Sequence, residues 1–530
     1  MTYQWNTRMD DCFRAVIKTD FSADAMVYTS NMIMGQLYPL PPLSKSMYFW
    51  GGPSSCNVIV VGEKDHFLLA GAVTAFRSLT ILQAVFDNRR ITHIEMCQPE
   101  IKQGETPEET VILEGPDWRE LLTRYADIAA EKMGVKPIHA EKNMTGYCTW
   151  YYYYKDVSEA HMLENIEALA ANRSPYAAEY VQIDDGYQTF QGDWLDQCEA
   201  WPTPVREIAA KITSAGMKAG IWLMPTTAST QSRVFREHPD WFVKNEQGKP
   251  VTQSGWGPDP EWGCLDATNP EVLDHIRNIF KTFRSWGFTY FKMDGLYFGL
   301  QRGIRKDPGS TTVSAFRLLL KTIREAVPDC LLMACSEPFL PCLGLVDNAR
   351  VSNDTSRYFH APGKTGNAPQ ECGCSIEAAF HISMANFWMF DRWFRADPDV
   401  IMARQDNAFY TRGEAKISVL SGIMSGISLT SDHLGTINPE RNALLAKAWN
   451  IRMRDARPLN TVPNFWPQEF EGTVDGVRAV ALVNDTAAVK SWKLADLGLP
   501  EHCFDLLDDR KVFHEVSMNG EDAVLLVPEK

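Results

Sequence analysis

Thr289-Tyr-Phe-Lys-Met-Asp294 is the stretch on which the fold turns: a short apolar run that ends on a lysine and an aspartate. Helical periodicity lies on both sides of it. Upstream, Asn269-Pro270 opens a segment in which Ile276, Ile279, Phe280 and Phe283 recur on one face. Asparagine suits a helix cap, and proline suits the first helical position. Downstream, Ser314 to Val327 reads as another helix. A strand set between helices is the unit of a parallel sheet.

Working outward, seven further segments read as strands: Gly146 to Tyr153, Tyr180 to Asp185, Lys218 to Met224, Cys330 to Ser336, Ala349 to Asp354, Phe387 to Phe394 and Ser428 to Asp432. Between them, Val205, Ile208, Ala209 and Ile212 share one helix face behind Thr203 and Pro204, and Ile376 to Phe387 is a further helix. Eight such units predict an α/β fold, a (β/α)8 TIM barrel, for which ~250 residues is typical. A doubly wound sheet is the alternative. It usually carries a glycine-rich turn after its first strand, and no GxGxxG occurs here.

The barrel is assigned to residues 141–450 and is flanked on both sides. Residues 1–140 form an N-terminal β-rich domain, in which Asn57 to Val61 and Phe67 to Ala70 are hairpin strands around Gly62-Glu-Lys-Asp65. Residues 451–530 form a small C-terminal antiparallel, sandwich-like β-domain, with strands at Val477 to Val483 and Ala523 to Val527 and a turn at Asn519-Gly520.

Composition excludes several classes of function. The 530 residues include 16 Trp, 17 Tyr and 26 Phe, too many for a disordered chain. A formal net charge of −15 argues against nucleic acid or an anionic membrane as partner. The uncharged stretch Ala25 to Ser44 is broken by prolines and a glycine and is not a membrane helix. Met1 to Asp20 shows no signal-peptide pattern. The 12 cysteines are scattered without CxxC pairs, which suits reduced thiols and a cytoplasmic location. No HExxH or close histidine cluster occurs, so no transition-metal site is expected.

In a TIM barrel the chemistry sits at the C-terminal ends of the strands. Those ends read Asp184-Asp185, Lys292-Met-Asp294, Cys335-Ser-Glu337, Ser352-Asn-Asp354 and Asp432. Asp391 and Arg392 sit on the seventh strand, with Asp397 beyond. Residues two apart share a strand face, so Lys292 joins Asp294, and Arg350 joins Ser352 and Asp354. A cation favours the ionised form of a nearby carboxylate, and desolvation favours the protonated form. Two carboxylates in different surroundings are what glycoside hydrolysis uses. Each residue also has a plainer reading. A strand-end aspartate is often a turn former or cap, and Asp391, Asp397 and Asp399 are read as caps or loop ligands around Pro398. Trp150, in Trp150-Tyr-Tyr-Tyr-Tyr154, is either core or a platform for a sugar face. Trp194, Trp201, Trp222 and Trp256 could reach the barrel mouth. Cys335 could be a buried thiol, and Lys292 a Schiff-base lysine.

Gly146-Tyr-Cys-Thr-Trp150, Gln182-Ile-Asp-Asp-Gly-Tyr187, Gly192-Asp-Trp194, Gly220-Ile-Trp222, His238-Pro-Asp-Trp241, Tyr290-Phe-Lys-Met-Asp294 and Arg350-Val-Ser-Asn-Asp354 together resemble the melibiase-type α-galactosidases, glycoside hydrolase family 36. The order and spacing agree from about Thr145 to Asp432, and the flanks agree in outline. The resemblance implies that Asp294 is the nucleophile and Asp354 the acid/base. It implies that Asp184 and Asp185 bind the sugar's 6- and 4-hydroxyls, and that Lys292 contacts its 3- and 4-hydroxyl side. Arg350 is implied near the 2-hydroxyl and the catalytic carboxylates, with Cys335 and Trp150 in the pocket. Retention of configuration and no cofactor are implied as well.

The chain departs from the pattern at Gly295, where many members carry a bulkier residue, and at Glu337, where a small one is common. An extra carboxylate near the 2-position could alter the preferred sugar. Tyr48-Phe-Trp50 is a loose match to the aromatic motif that overhangs the site. The expected function is that of a retaining α-glycosidase acting on small α-galactosides, with a small carbohydrate as its partner. The alternatives are another sugar, transglycosylation, a Schiff-base aldolase built on Lys292, or a carbohydrate-binding protein without turnover.

Overall fold

The computed structural model describes the chain except residues 1–3, 8–11, 23–24, 31–36, 41–47, 50–51, 88–89, 103, 137, 139–140, 174–177, 256–258, 364–372, 461–466 and 530. Eight strands build the central sheet: β1 (Met144–Cys148), β2 (Tyr180–Ile183), β3 (Lys218–Leu223), β4 (Phe288–Met293), β5 (Leu331–Ala334), β6 (Asn348–Arg350), β7 (Arg395–Asp397) and β8 (Ile427–Thr430). Their order is β7-β6-β5-β4-β3-β2-β1-β8. Parallel bridges from Ala396 to Gly426 and from Ile401 to Thr430 join its two ends, so the sheet closes. This is the (β/α)8 barrel. β1, β2 and β8 are buried along their whole length, which is why they read as continuous apolar runs and not as alternating ones.

The outer helices are α1 (Glu159–Ala171), α2 (Val205–Ser214), α3 (Pro270–Ser285), α4 (Thr312–Ala326), α5 (Ile376–Ala385), α6 (Arg412–Ser425) and α7 (Pro439–Asn450). α3 is the clearest case of local sequence dictating structure. The Asn269 side chain accepts from the Glu271 amide, Pro270 occupies the first turn, and Val272, Ile276, Ile279, Phe280 and Phe283 are buried. Burying each large side chain contributes about 1.5–3 kcal/mol relative to exposure.

Two strand readings are corrected. The strand expected over Gly146 to Tyr153 ends at Cys148, and Trp150–Tyr153 is a helical turn. The ladder with β2 stops at Cys148–Gln182, so a longer strand would have no partner there. The strand expected over Phe387 to Phe394 is instead a 3-10 turn at Phe387–Met389 followed by Asp391 at φ 55°. The seventh strand lies at Arg395–Asp397. A short apolar run has no period by which to tell a strand from a buried turn.

The chain forms two compact units. The first comprises residues 1–137, 185–209 and 221–349. Its N-terminal part holds a six-stranded and a five-stranded antiparallel sheet among the described residues. Ile17, Phe21, Leu82 and Ile94 from one sheet share a core with Val27, Ile59, Val61 and Leu68 from the other. The expected hairpin is Val58–Glu63 paired with His66–Ala72. Cys97 in this unit is disulfide-bonded. The expectation of reduced thiols throughout is therefore corrected, and thiol state gives no support to a cytoplasmic location.

The second unit comprises residues 138–184, 210–220 and 350–530. Its C-terminal part is an antiparallel sheet plus a two-stranded pair, with Val480, Leu482, Trp492, Val524 and Leu526 in the core. Asp432, just past β8, pairs with Arg404 at 3.2 Å, and both side chains are fully buried. Asp432 also accepts from the Ala403 and Arg404 amides. Removing one partner of a buried pair strands the other charge. Asp432→Asn is therefore expected to lower stability by about 3–5 kcal/mol, read from urea unfolding monitored by tryptophan fluorescence. Among the described residues, no helix is long and apolar enough to cross a membrane.

Candidate active site

In the first unit the chemistry gathers around Asp294, which follows β4. Its amide donates to the Leu223 carbonyl at 2.9 Å, anchoring the strand end against β3. One carboxylate oxygen accepts from the Trp222 indole Nε1 at 3.0 Å. The other accepts from Ser336 Oγ at 3.0 Å and from the Gly295 amide at 2.6 Å. Donors on both oxygens fix the orientation of the carboxylate. Gly295 sits at φ 59°, and a Cβ there would lie 2.3 Å from Met224 Cε. The turn into Leu296–Leu300 thus takes a left-handed conformation that favours glycine, and a side chain there would have to displace the end of Met224.

Around this centre Lys292 is buried in the last part of β4, and Cys335 and Glu337 are buried past β5. Cys335 Sγ lies 3.9 Å from Ser336 Oγ. Burial, with Glu337 nearby, raises the Cys342 thiol well above its ordinary range. The Tyr297 phenol is pushed up to about 12 by burial and by Asp294. Asp185 is buried and accepts from Gln188 Nε2 at 2.6 Å. Tyr187 donates to the Trp222 carbonyl at 3.2 Å and so braces the strand that carries the indole.

In the second unit Arg350 ends β6, with its side chain 3% exposed. It pairs with Asp354 at 2.9 Å, Asp399 at 2.7 Å and Asp397 at 3.9 Å. Asp354 is 41% exposed, whereas Asp397 and Asp399 are buried. Asp399 also accepts from the Thr355 amide at 2.8 Å, tying it to the loop that carries Asp354. Burial, with Asp354 and Asp399 beside it, raises the Tyr151 phenol well above its ordinary range. Asp184 is buried, accepts from Gln182 Nε2 at 2.5 Å and from Cys148 Sγ at 3.4 Å, and its amide donates to Thr149 Oγ1. Trp150 opens the helical turn after β1, packs edge-on against Tyr154, and has Lys155 over its ring.

The residues expected from sequence therefore fall into two groups, each described within its own unit. One contains Trp222, Lys292, Asp294, Cys335, Glu337 and Asp185. The other contains Trp150, Asp184, Arg350 and Asp354. Trp222 has a more specific part than lining a mouth, since its indole holds Asp294. Trp194 packs edge-on against Trp222 at 5.8 Å, Trp201 is buried, and Trp256 and Trp50 lie outside the described residues.

Sequence reading missed Ser336, Asp397 and Asp399. Ser336 reaches Asp294 from a backbone at φ 53°, which no sequence pattern signals. Asp397 and Asp399 were read as caps, but they surround Arg350. Two acids beside Pro398, close after the seventh strand, were the available signal. Asp391 pairs with Arg452 at 2.7 Å. Among the described residues, no group of three or more His, Cys, Asp or Glu side chains is arranged to hold a metal ion.

The Melibiase family model matches residues 123–323. A curated relative, the A type blood alpha-D-galactosamine galactosaminidase of Flavonifractor plautii, is 28% identical over 122 residues, 22% of this chain and 11% of that protein. Alpha-galactosidase AgaA of Geobacillus stearothermophilus is 26% identical over 153 residues, 27% of this chain and 20% of that protein. The chain thus matches about a tenth to a fifth of the length of these relatives. Among solved structures, the alpha-galactosidase TtGalA from Thermus thermophilus, in complex with p-nitrophenyl alpha-D-galactopyranoside, superposes with a TM-score of 0.70 at 22% identity. That superposition covers 90% of this chain and 93% of the other.

Proposed function

We propose, since the Melibiase family model matches residues 123–323, that the chain is a retaining α-glycosidase that releases terminal α-galactosyl residues from small α-galactosides. The observation that carries this reading is the setting of Asp294. It is a carboxylate at the C-terminal end of a barrel strand, held by an indole, a hydroxyl and an amide. Such donors orient an anion for in-line attack and keep it from rotating away.

In the first step Asp294 attacks the anomeric carbon while Asp354 gives its proton to the leaving oxygen. In the second, Asp354 takes a proton from water, which displaces Asp294 from the sugar. Two inversions return the α configuration. Arg350 beside Asp354 would by itself favour the carboxylate over the acid. Its pairing with Asp399 and Asp397 supports the acid role, because those two anions already offset its charge. Proton NMR of the first product formed tests the proposal: the α-sugar must appear before mutarotation, and initial release of the β-sugar would sink it.

Asp184 and Asp185 are buried carboxylates, each fixed by a side-chain amide donor, Gln182 Nε2 on Asp184 and Gln188 Nε2 on Asp185, and ionised carboxylates are acceptors suited to sugar hydroxyls. A substrate that leaves a buried acceptor unmatched loses ~1–3 kcal/mol. Aryl α-galactoside is therefore expected to be cleaved at least about tenfold faster than aryl α-glucoside. Asp185→Ala should cost well over an order of magnitude on the galactoside. Equal rates on the two sugars would contradict the assignment of this pair.

The fully buried Glu337, just past Ser336, favours a second reading in which the sugar carries an amino group. The relative from Flavonifractor plautii is described as acting on alpha-D-galactosamine, and an ammonium would pair with a carboxylate. A screen of aryl α-glycosides that includes the galactosaminide separates the two readings. Activity on the galactoside is expected to survive dialysis against EDTA. A loss reversed by a divalent ion would instead assign Asp184, Asp185 and Asp294 to a metal.

A further inference from the structure

The loop after β3 and the turn after β4 enclose a cleft of about 270 Å³ that contains none of the residues discussed above as catalytic. Its walls are tied together: the Lys244 amide donates to the Ile304 carbonyl at 3.0 Å, and the Ile304 amide donates back at 2.7 Å. Asn269, Arg305, Lys244 and Lys306 face the cleft, with Asp266 and Asp240 as its acids.

Two buried donors there have no hydrogen-bond partner among the described residues. Asn269 is 1% exposed. Its Oδ1 accepts from the Glu271 amide at 3.2 Å and from Lys306 Nζ at 2.9 Å. Those two donors fix which way the amide points, so Nδ2 is left as a buried donor without an acceptor. Arg305 is 8% exposed. Its Nη2 donates to the Gln301 carbonyl at 2.8 Å and to that of Gly299 at 3.3 Å. Its Nη1 has no hydrogen-bond partner and lies 3.6 Å from Asp266 Oδ1, beyond hydrogen-bond reach. Asp266 is itself occupied by the Lys306 amide at 2.6 Å and by Thr268 Oγ1 at 2.7 Å.

Buried donors are normally matched, so two of them from separate elements facing one cleft call for an acceptor from outside. The other polar groups agree. Lys244 and Lys306 offer only donors, and the cleft lies at the positive N-terminal end of the 16-residue α3. Three cations face two carboxylates, on a chain whose net charge is −15. The donors converge from three segments of chain, around 244, 269 and 305. That suits a tetrahedral oxyanion better than a planar carboxylate. We propose that this cleft binds a phosphate-class oxyanion, either free or carried on a small sugar. The space is larger than a bare phosphate requires. The proposal does not depend on the glycosidase reading.

Calorimetric titration of the full chain in phosphate-free buffer tests it, with inorganic phosphate, a hexose 6-phosphate and the parent hexose as probes. Inorganic phosphate is expected to bind the wild type with a Kd below about 10 mM. Asn269→Asp keeps the oxygen that caps α3 but replaces the donor with negative charge. It should weaken phosphate binding at least about tenfold. Lys244→Ala, on a partly exposed side chain, should weaken binding about three- to tenfold without lowering the unliganded melting temperature. Hexose phosphate binding at least about tenfold tighter than phosphate identifies a phosphorylated sugar as the ligand, and equal affinities identify free phosphate. The proposal is overturned if phosphate does not bind at this concentration. It is equally overturned if both variants bind as the wild type does, or if the parent hexose binds as tightly as its phosphate.

Discussion

Asp294→Gly is expected to lower kcat/KM on an aryl α-galactoside by at least about 10⁴-fold, because under the proposed mechanism it deletes the covalent nucleophile and with it the reaction path. Azide should restore turnover by entering the space the carboxylate leaves. A single displacement then gives the β-galactosyl azide, identified by the anomeric coupling constant. The glycine variant also deprives Trp222, Ser336 and the Gly295 amide of their acceptor. Asp294→Asn is the control, since it keeps size and one acceptor oxygen but cannot attack. It should be comparably inactive with an unchanged melting temperature. An asparagine variant within tenfold of wild type would place the nucleophile elsewhere.

The second large effect is expected at Asp354. Loss of a general acid costs about 10²–10⁴-fold where the leaving group needs a proton, and much less where it does not. Asp354→Gly should therefore fail on an unactivated galactoside such as a disaccharide. On a nitrophenyl galactoside it should still form the glycosyl-enzyme. Azide then attacks that intermediate and gives the α-galactosyl azide by double inversion. The fold should tolerate the change, because Asp354 is 41% exposed and Arg350 keeps Asp399 at 2.7 Å. If Asp294→Gly gave the α-azide and Asp354→Gly the β-azide, the roles would be exchanged. Wild-type activity in both variants would mean the chemistry lies at other residues.

Much of the molecule was legible from sequence because its information is local. Six of the eight barrel strands were readable as apolar runs, and the helices between them as one-sided periodic patterns closed by caps such as Asn269. These patterns need no long-range contact to be seen. The carboxylates at the ends of β4 and β6 were readable for the same reason. Once strands and helices alternate, chain order fixes which residues follow each strand. The pairing of Arg350 with Asp354 spans four positions, but the strand expected to run to Asp354 ends at Arg350, so the loop beyond β6, not a shared strand face, brings the two together.

What the sequence could not decide are the contacts between distant segments. Trp222 holds Asp294 across 72 positions and Ser336 holds it across 42. No pattern marks Ser336 for that part, because its geometry comes from a left-handed backbone at φ 53°. Asp397 and Asp399 read as ordinary turn formers, and only the fold brings them to Arg350. The seventh strand was misplaced because its apolar neighbours at 387–394 lack alternation, and pairing, not propensity, selects Arg395–Asp397. By itself, then, the sequence determined the barrel and which carboxylates follow its strands. The tertiary structure decided which groups orient them, because orientation depends on side-chain donors that converge from strands far apart in the chain.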